Sequence, residues 1–483
     1  MNTQIRKLEP IAIWNNFADL NAVPRASKKE ERVIQFMVEF GKKLDLTTKV
    51  DKVGNVIITK PATKGMEKRK TVVLQSHLDM VHQKNNGTDF NFETQGIQMT
   101  IDDDWVKAKG TTLGADNGLG VATIMSLLES TDIPHPALEA LFTIDEETGM
   151  TGAMGLEAGW LKGEILLNLD TEDDNEIGVG CAGGVDLTAI KPYKPVKTAE
   201  NVEAFKITVK GLQGGHSGMD IHKGFGNANK LINRVLYDLK NLISIAEIDG
   251  GGLRNAIPRE SNVIIVTNNK DDFSNQFNTI ANAIIAEYKS IEKDIEIIFN
   301  ECEKPSNVLS KKDQKTLLKI IYNVHNGVFR MSPDIKNLVE TSNNLARVLV
   351  KDGQIKILCL TRSSVESGKQ NLVNTISTIF ELAHYSIKTS GAYPGWKPNP
   401  NSDILKVLEK TYKKLFKEKA NVMACHAGLE CGILGQNYPK MDMISFGPTI
   451  KGAHSPDERA SISSTQKYWK FVLEILKQIP EQK

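Results

Sequence analysis

Residues 71–79 read TVVLQSHLD, an apolar run that closes on a histidine and, two positions later, an aspartate. Side chains alternate along a strand, so positions 77 and 79 point to the same side. That spacing suits a metal, because a ligating histidine commonly needs a carboxylate at its other ring nitrogen to fix its tautomer. Alone, the pair is equally an ordinary polar strand end. What decides the fold is that the pattern recurs. EILLNLD (164–170) is an apolar run ending in Asp170, and ALEALFTIDEE (137–147) ends in Asp145, Glu146 and Glu147.

Working outward, KVDKVGNVIIT (49–59) reads as a strand and NGLGVATIMSLLES (117–130) as a helix. This alternation predicts an α/β fold with a mainly parallel central sheet covered by helices. In such sheets the site lies outside the carboxyl ends of the strands, where the acids and His77 would converge. From GCAGGVD (180–186) the pattern changes. The strand AFKITVKG leads through LQGGHSGMD into the helical FGNANKLINRVLYDLKNL and the strand ESNVIIVTN. The strands NLVETSNNLARVLVK and GQIKILCLTRSS and a helix over about 367–386 follow. These read as an α+β insert that ends near the proline-, glycine- and asparagine-rich GAYPGWKPNPNS (391–402). The helix SDILKVLEKTYKKLF, the strand MDMISFGP and the helix QKYWKFVLEILKQI then return to the opening style. The expected organisation is a catalytic domain, 1–186 and 397–483, interrupted by a lid domain, 187–396, long enough for two similar halves.

At 483 residues the chain exceeds what one core organises, and 40% hydrophobic residues suffice to bury a real one. Lysine plus arginine (60) nearly cancels aspartate plus glutamate (59), leaving no basic field for nucleic acid or anionic lipid, so the expected partner is small. MNTQIRKLEPIAIWNNF lacks the apolar core of a secretory signal, and no apolar run is long enough to span a bilayer. A cytoplasmic protein is expected. The five cysteines are scattered without a CxxC pair, which argues against a disulfide framework or a thiolate metal site.

Two further positions complete the constellation. Asp116, in TTLGADNGLG, is either a helix N-cap or a ligand. Adjacent Glu146 and Glu147 repel one another at an apolar strand end unless a cation offsets them. Of the nine histidines, His77 and His454, the latter in SFGPTIKGAHSPDER, have the best contexts for metal. Two histidines with three or four carboxylates fit a pair of divalent ions. Nitrogen and oxygen ligands without thiolate favour zinc, with cobalt or manganese admissible, and leave one carboxylate as a base.

SHLDMV, LGADNGLG, DEETGMTGA, LLNLDTED, GGHSG, RNAIPR, LTRSS, HAGLECG and GAHSPDE occur along the chain in the order found in the cocatalytic dizinc exopeptidases, the family that includes carboxypeptidase G and the carnosinases. The whole chain resembles that family. NLDTED, HAGLECGIL and the long insert are most similar to its aminoacyl-histidine dipeptidases. The resemblance implies a zinc-exopeptidase-like catalytic domain in which Asp116 bridges two zinc ions, with His77 and Asp170 on one and Glu147 and His454 on the other. It implies Asp79 as the residue orienting His77 and Glu146 as general base. From the insert it implies His216 as the donor to the oxyanion, and Asn255 and Arg362 as holders of the substrate's terminal carboxylate. Gly428 would line the substrate pocket. Relatives with a simpler lid carry the carboxylate-binding arginine where this chain has VTNNK, which moves that role to Arg362. Without the family match, His216 reads as a solvated loop histidine, and His222 keeps that reading. A homodimer through the lid is also implied.

The expected activity is hydrolysis of Xaa-His dipeptides, including β-alanyl-histidine (carnosine). A broader di- or tripeptidase, or an amidohydrolase of N-acyl amino acids, shares the same chemistry. A non-catalytic peptide-binding protein on the same fold is opposed by the retention of Glu146 and every expected ligand.

Overall fold

The computed structural model describes residues 2–399 and 401–482; Pro400, inside the expected linker, lies outside them, as do the two terminal residues. The chain forms two compact units. One comprises Met1–Gly180, Pro398–Ala424 and Leu429–Lys483, the other Cys181–Lys397 and Cys425–Gly428.

The first unit is built on an eight-stranded sheet in the order Thr47–Val50, Val56–Lys60, Leu138–Thr143, Val72–His77, Ile165–Asn168, Asp442–Ser445, Glu176–Cys181 and Asn421–Cys425. Val72–His77, Leu138–Thr143 and Ile165–Asn168 are buried at every position, as central strands must be when both faces of the sheet are covered. These three and Asp442–Ser445 pair in parallel. The expected parallel arrangement therefore holds at the centre, and the flanks are antiparallel. On the first flank KVDKVGNVIIT is a hairpin and not one strand. Asp51 Oδ1 accepts from the amides of Val53, Gly54 and Asn55, and Gly54 takes a φ of 111° that favours glycine, so the chain folds straight back. The helix Ala115–Glu129 is buried along almost its whole length, and its Leu119 and Ala122 share a core with Trp14 and Phe17 of the helix Ile11–Leu20. A four-stranded sheet, Ile450–Lys451, Arg459–Ser461, Trp105–Ala108 and Met99–Asp102, flanks the segment carrying His454.

The second unit holds a nine-stranded sheet whose strand pairs are antiparallel, with helices that share one apolar core with it. Its chain order repeats. Glu203–Lys210, Ala228–Asp238, Ile243–Gly251, Ser261–Thr267, Lys270–Tyr288 and Glu296–Glu301 run strand, helix, strand, strand, helix, strand. Gly183–Pro192, Lys311–Asn323, Val339–Lys351, Gln354–Ser363, Glu366–Leu382 and Ser386–Tyr393 follow the same succession. Within the sheet each half has its third strand between its first and its second, and its fourth at the outer edge. The halves join where their second strands pair, Ile248 opposite Val350. The insert thus contains two halves of like topology, the first inserted after the opening strand of the second.

Candidate metal centre and active site

Two of the candidate ligands sit where a strand of the first unit gives way to a loop. His77 is the last residue of Val72–His77, and Asp170 lies two residues beyond Ile165–Asn168. The strand Leu138–Thr143 stops earlier than its sequence suggests. Asp145 takes a φ of 55° and turns the chain into the short helix Glu146–Gly149, so Glu146 and Glu147 open a helical turn and do not close a strand. Asp116 does not cap the helix Ala115–Glu129. It lies inside the element with non-helical dihedrals, φ −80° and ψ 110°, and its carboxylate turns to the histidines.

Two ligand sets result, and they share one residue. His77, Asp116 and Asp170 form the first, Asp116, Glu147 and His454 the second, with the ligand atoms of each set within 4.8 Å of one another. Asp116 Oδ1 is 3.2 Å from His77 Nε2, and its Oδ2 is 3.2 Å from His454 Nε2. His77 Nε2 also lies 3.5 Å from Asp170, and His454 Nε2 3.0 Å from Glu147. One carboxylate presenting an oxygen to each set is the geometry of a bridging ligand. On the far side of the His77 ring, Nδ1 is 3.4 Å from Asp79 Oδ1 and 3.1 Å from the Asp79 carbonyl. The Asp79 carboxylate also accepts from the amides of Glu146 and Glu147 and from Ser27.

The electrostatics test whether cations belong here. Burial opposes a charge on His77, yet Asp170, Asp116 and Asp79 hold its pKa well above the ordinary value. Hydrogen bonds to Asp116 and Glu147 push His454 up to about 11. Burial raises Asp170 and Glu147, and one buried Glu147 oxygen, Oε1, has no hydrogen-bond partner. Three clustered carboxylates therefore call for positive charge, which imidazolium protons supply when nothing else does. Two divalent cations would supply it better, with nitrogen and oxygen donors suited to zinc, cobalt or manganese. The residues fit a dinuclear centre. Glu146 belongs to neither set; burial pushes its carboxyl well above the usual range, opposed by His77 and reinforced by Asp170, Glu430 and Glu147.

The second unit gathers a separate polar cluster. Arg362, only 5% exposed, donates from Nη1 to Tyr393 Oη at 2.8 Å, and among the described residues no carboxylate forms an ion pair with it. His216 Nδ1 accepts from the amides of Gly218 and Met219, which puts the ring proton on Nε2, 3.5 Å from Arg362 Nη2. Two donors thus face one point from the two halves of one sheet. Burial and the neighbouring guanidinium push His216 down to about 4, so its imidazole is neutral at neutral pH. Asn255 is exposed, its carbonyl accepting from the Ser217 amide. Arg254 is committed to Asp186 and to the Leu187 and Cys359 carbonyls, and Arg259 to the Leu212 carbonyl. Gly428 closes the short Cys425–Gly428 segment of this unit, and His222 is exposed.

Two residues of the HAGLECG motif escaped the sequence reading. His426 is buried, meets Ser342 Oγ at 2.7 Å through Nε2 and is pushed down to about 3 by burial and by Arg362. Glu430, in the first unit, accepts from Gln75 and Thr143, both at 2.6 Å, and burial raises it to about 8. Their place within a quoted motif was the signal available; their partners lie far away in sequence.

A mixed sheet with histidine and acids at its strand ends, assembled into a cation-demanding pair of ligand sets, is the architecture of a metal-dependent hydrolase. Residues 73–478 match the model of peptidase family M20/M25/M40, and the chain belongs to that family. It is a metallopeptidase, a hydrolase acting on peptide bonds. The chain is 42% identical over 482 residues, 99% of each protein, to the cytosol non-specific dipeptidase of Escherichia coli. The structure matches that of an aminoacylhistidine dipeptidase from Vibrio alginolyticus with a TM-score of 0.92, at 44% identity and 99% coverage of both chains. An aminopeptidase from Bacillus cereus, 16% identical with a TM-score of 0.58 over 98% of this chain and 99% of that one, shares the fold. No helix among the described residues is long and apolar enough to cross a membrane.

Proposed function

We propose that the chain is a cytoplasmic dipeptidase working with two divalent ions, zinc in the first instance, and that it cleaves Xaa-His dipeptides, carnosine among them. The observation that carries the dinuclear reading is the Asp116 carboxylate, which offers one oxygen to each of two histidine-bearing ligand sets. His77 and Asp170 would hold one ion, Glu147 and His454 the other. When bound, such a pair lowers the pKa of a coordinated water and polarises the scissile carbonyl.

The remaining steps belong to the side chains. Asp79 holds the His77 ring and, through two backbone amides, the Glu146–Glu147 turn. Glu146 takes the proton of the attacking water and passes it to the leaving amine, and its burial outside both ligand sets leaves its carboxyl free for that exchange. His216, neutral with its proton on Nε2, donates to the developing oxyanion. Arg362, buried and without a carboxylate partner among the described residues, receives the substrate's terminal carboxylate together with Asn255, and the Gly428 backbone lines the substrate pocket. Because His216 and Arg362 come from the two halves of one insert, one chain supplies both. Assembly as a homodimer through the second unit completes the reading, and its sheet ends on the largely exposed edge strand Ser386–Tyr393.

The preference for histidine at the second position leans on the likeness to the aminoacylhistidine dipeptidase; the name of the Escherichia coli relative favours broader dipeptide specificity. Initial rates on Xaa-His and Xaa-Leu dipeptides, tripeptides and N-acetyl amino acids separate the readings. Faster cleavage of Xaa-His supports the preference, and equal rates on all dipeptides replace it with the broader activity.

A further inference from the structure

Four consecutive backbone amides at the entrance to the helix Ala115–Glu129 point into the protein, and one buried carboxylate takes all of them. Glu458 Oε2 accepts from Leu113 and Gly114 at 2.7 and 2.9 Å, and Oε1 from Ala115 and Asp116 at 2.7 and 3.2 Å. Glu458 is 2% exposed, and four bonds fill the acceptor sites of a carboxylate. The same turn is gripped from its carbonyl side by Arg25, which is 1% exposed. Nη2 donates to the Gly114 carbonyl at 2.5 Å and to Asn21 Oδ1 at 3.0 Å, while Nη1 donates to the Leu78 and Asp79 carbonyls at 3.0 and 3.2 Å. A Cβ on Gly114 or on Gly118 would collide with this guanidinium, which accounts for the first two of the three glycines of LGADNGLG.

We propose that Glu458 and Arg25 are positioning residues of the metal centre, fixing the backbone that carries Asp116 to the segments that carry His77 and His454. Arg25 ties the chain just past His77 to the turn just before Asp116. Glu458 ties that turn to the loop that holds His454 four residues earlier. A carboxylate that must present one oxygen to each of two ligand sets tolerates little rotation or shift of its backbone, and these two side chains remove that freedom. Their hydrogen bonds to this region go to backbone amides and carbonyls, so both act through the main chain. The inference rests on the reading of two ligand sets sharing Asp116.

An ordinary structural cap would affect stability alone, and the chain contains one for comparison. Glu139, 6% exposed, accepts from the amides of Lys162 and Gly163, near the start of Leu138–Thr143, the opposite end of that strand from Glu146. Metal-free full-length wild type, E458Q and E139Q are titrated with zinc chloride by calorimetry against a competing chelator, and each is melted without metal. E458Q is expected to bind zinc about 10- to 100-fold more weakly, the usual effect of losing a group that holds a ligand in place, while E139Q stays within about two-fold of wild type at a similar loss of Tm. Zinc affinity of E458Q within about two-fold of wild type, or equal weakening in E139Q, overturns the proposal. R25K keeps the charge but not the forked grip; it is held to the same criterion and decides the matter if E458Q does not fold. Wild type that takes up no zinc would remove the metal centre itself, a result distinct from a tight-binding wild type matched by E458Q.

Discussion

At the scale of single residues, Glu146, Arg362 and His426 each carry a separate prediction. Glu146 is a buried carboxyl raised above its usual range and outside both ligand sets. Glu146→Gln keeps its shape and removes its proton chemistry, so kcat is expected to fall about 10²- to 10⁴-fold while metal content by mass spectrometry is unchanged. Undiminished activity would take away its role as base. Arg362 makes a different prediction. Arg362→Lys loses the two-pronged grip, and kcat/KM for free dipeptides is expected to drop roughly 10- to 100-fold, against little further change for dipeptide amides, which lack the carboxylate. Equal losses on both substrates would separate Arg362 from carboxylate binding. His426 is held neutral, its pKa near 3, by burial and by Arg362. A histidine with a depressed folded pKa takes up its proton in the unfolded chain first, so its contribution to stability is intact above pH ~6.5 and is lost as pH falls toward the folded value. Between pH 7.5 and 5 the loss amounts to about 2 kcal/mol. H426Q is therefore expected to lose less Tm than wild type over that interval; an identical loss would show that the group does not titrate in this way.

At the scale of elements, the GGHSG loop carries the most specific constraint. A Cβ on Gly218 would run into the His426 carbonyl, so Gly218→Ala has to push the His216 loop off the Cys425–Gly428 segment. The expected result is a stability loss of about 1–3 kcal/mol, from overpacking, with a fall in kcat and metal content unchanged. The same scale shows what the sequence conveys. The central strands were legible because burial on both faces writes them as largely apolar runs, and the candidate ligands His77 and Asp170 were legible because an acid or histidine at the end of such a run is conspicuous. KVDKVGNVIIT misleads because its turn depends on Asp51 collecting three amides, a contact that an apolar run conceals. The turn at Asp145 likewise moves Glu146 and Glu147 from a strand end to the start of a helix. His426 and Glu430 could not be found by spacing, since Ser342, Gln75 and Thr143 reach them only through the fold.

At the scale of the whole molecule, the chain comprises one unit that carries the candidate metal ligands and a chain-interrupting unit of two like-topology halves. Since both halves lie in one chain, dilution to monomer is expected to leave kcat per chain unchanged even where sedimentation finds a dimer; activity lost in step with dissociation would mean that a second chain completes the site. Both units serve, on this reading, a pair of cations organised by Asp116. The pair is tested most directly by adding zinc stepwise to metal-free protein while bound metal and dipeptide hydrolysis are measured together. The starting chain is expected to be inactive and to reach full activity when two ions are bound per chain. Full activity in a chain shown to hold no metal would contradict this.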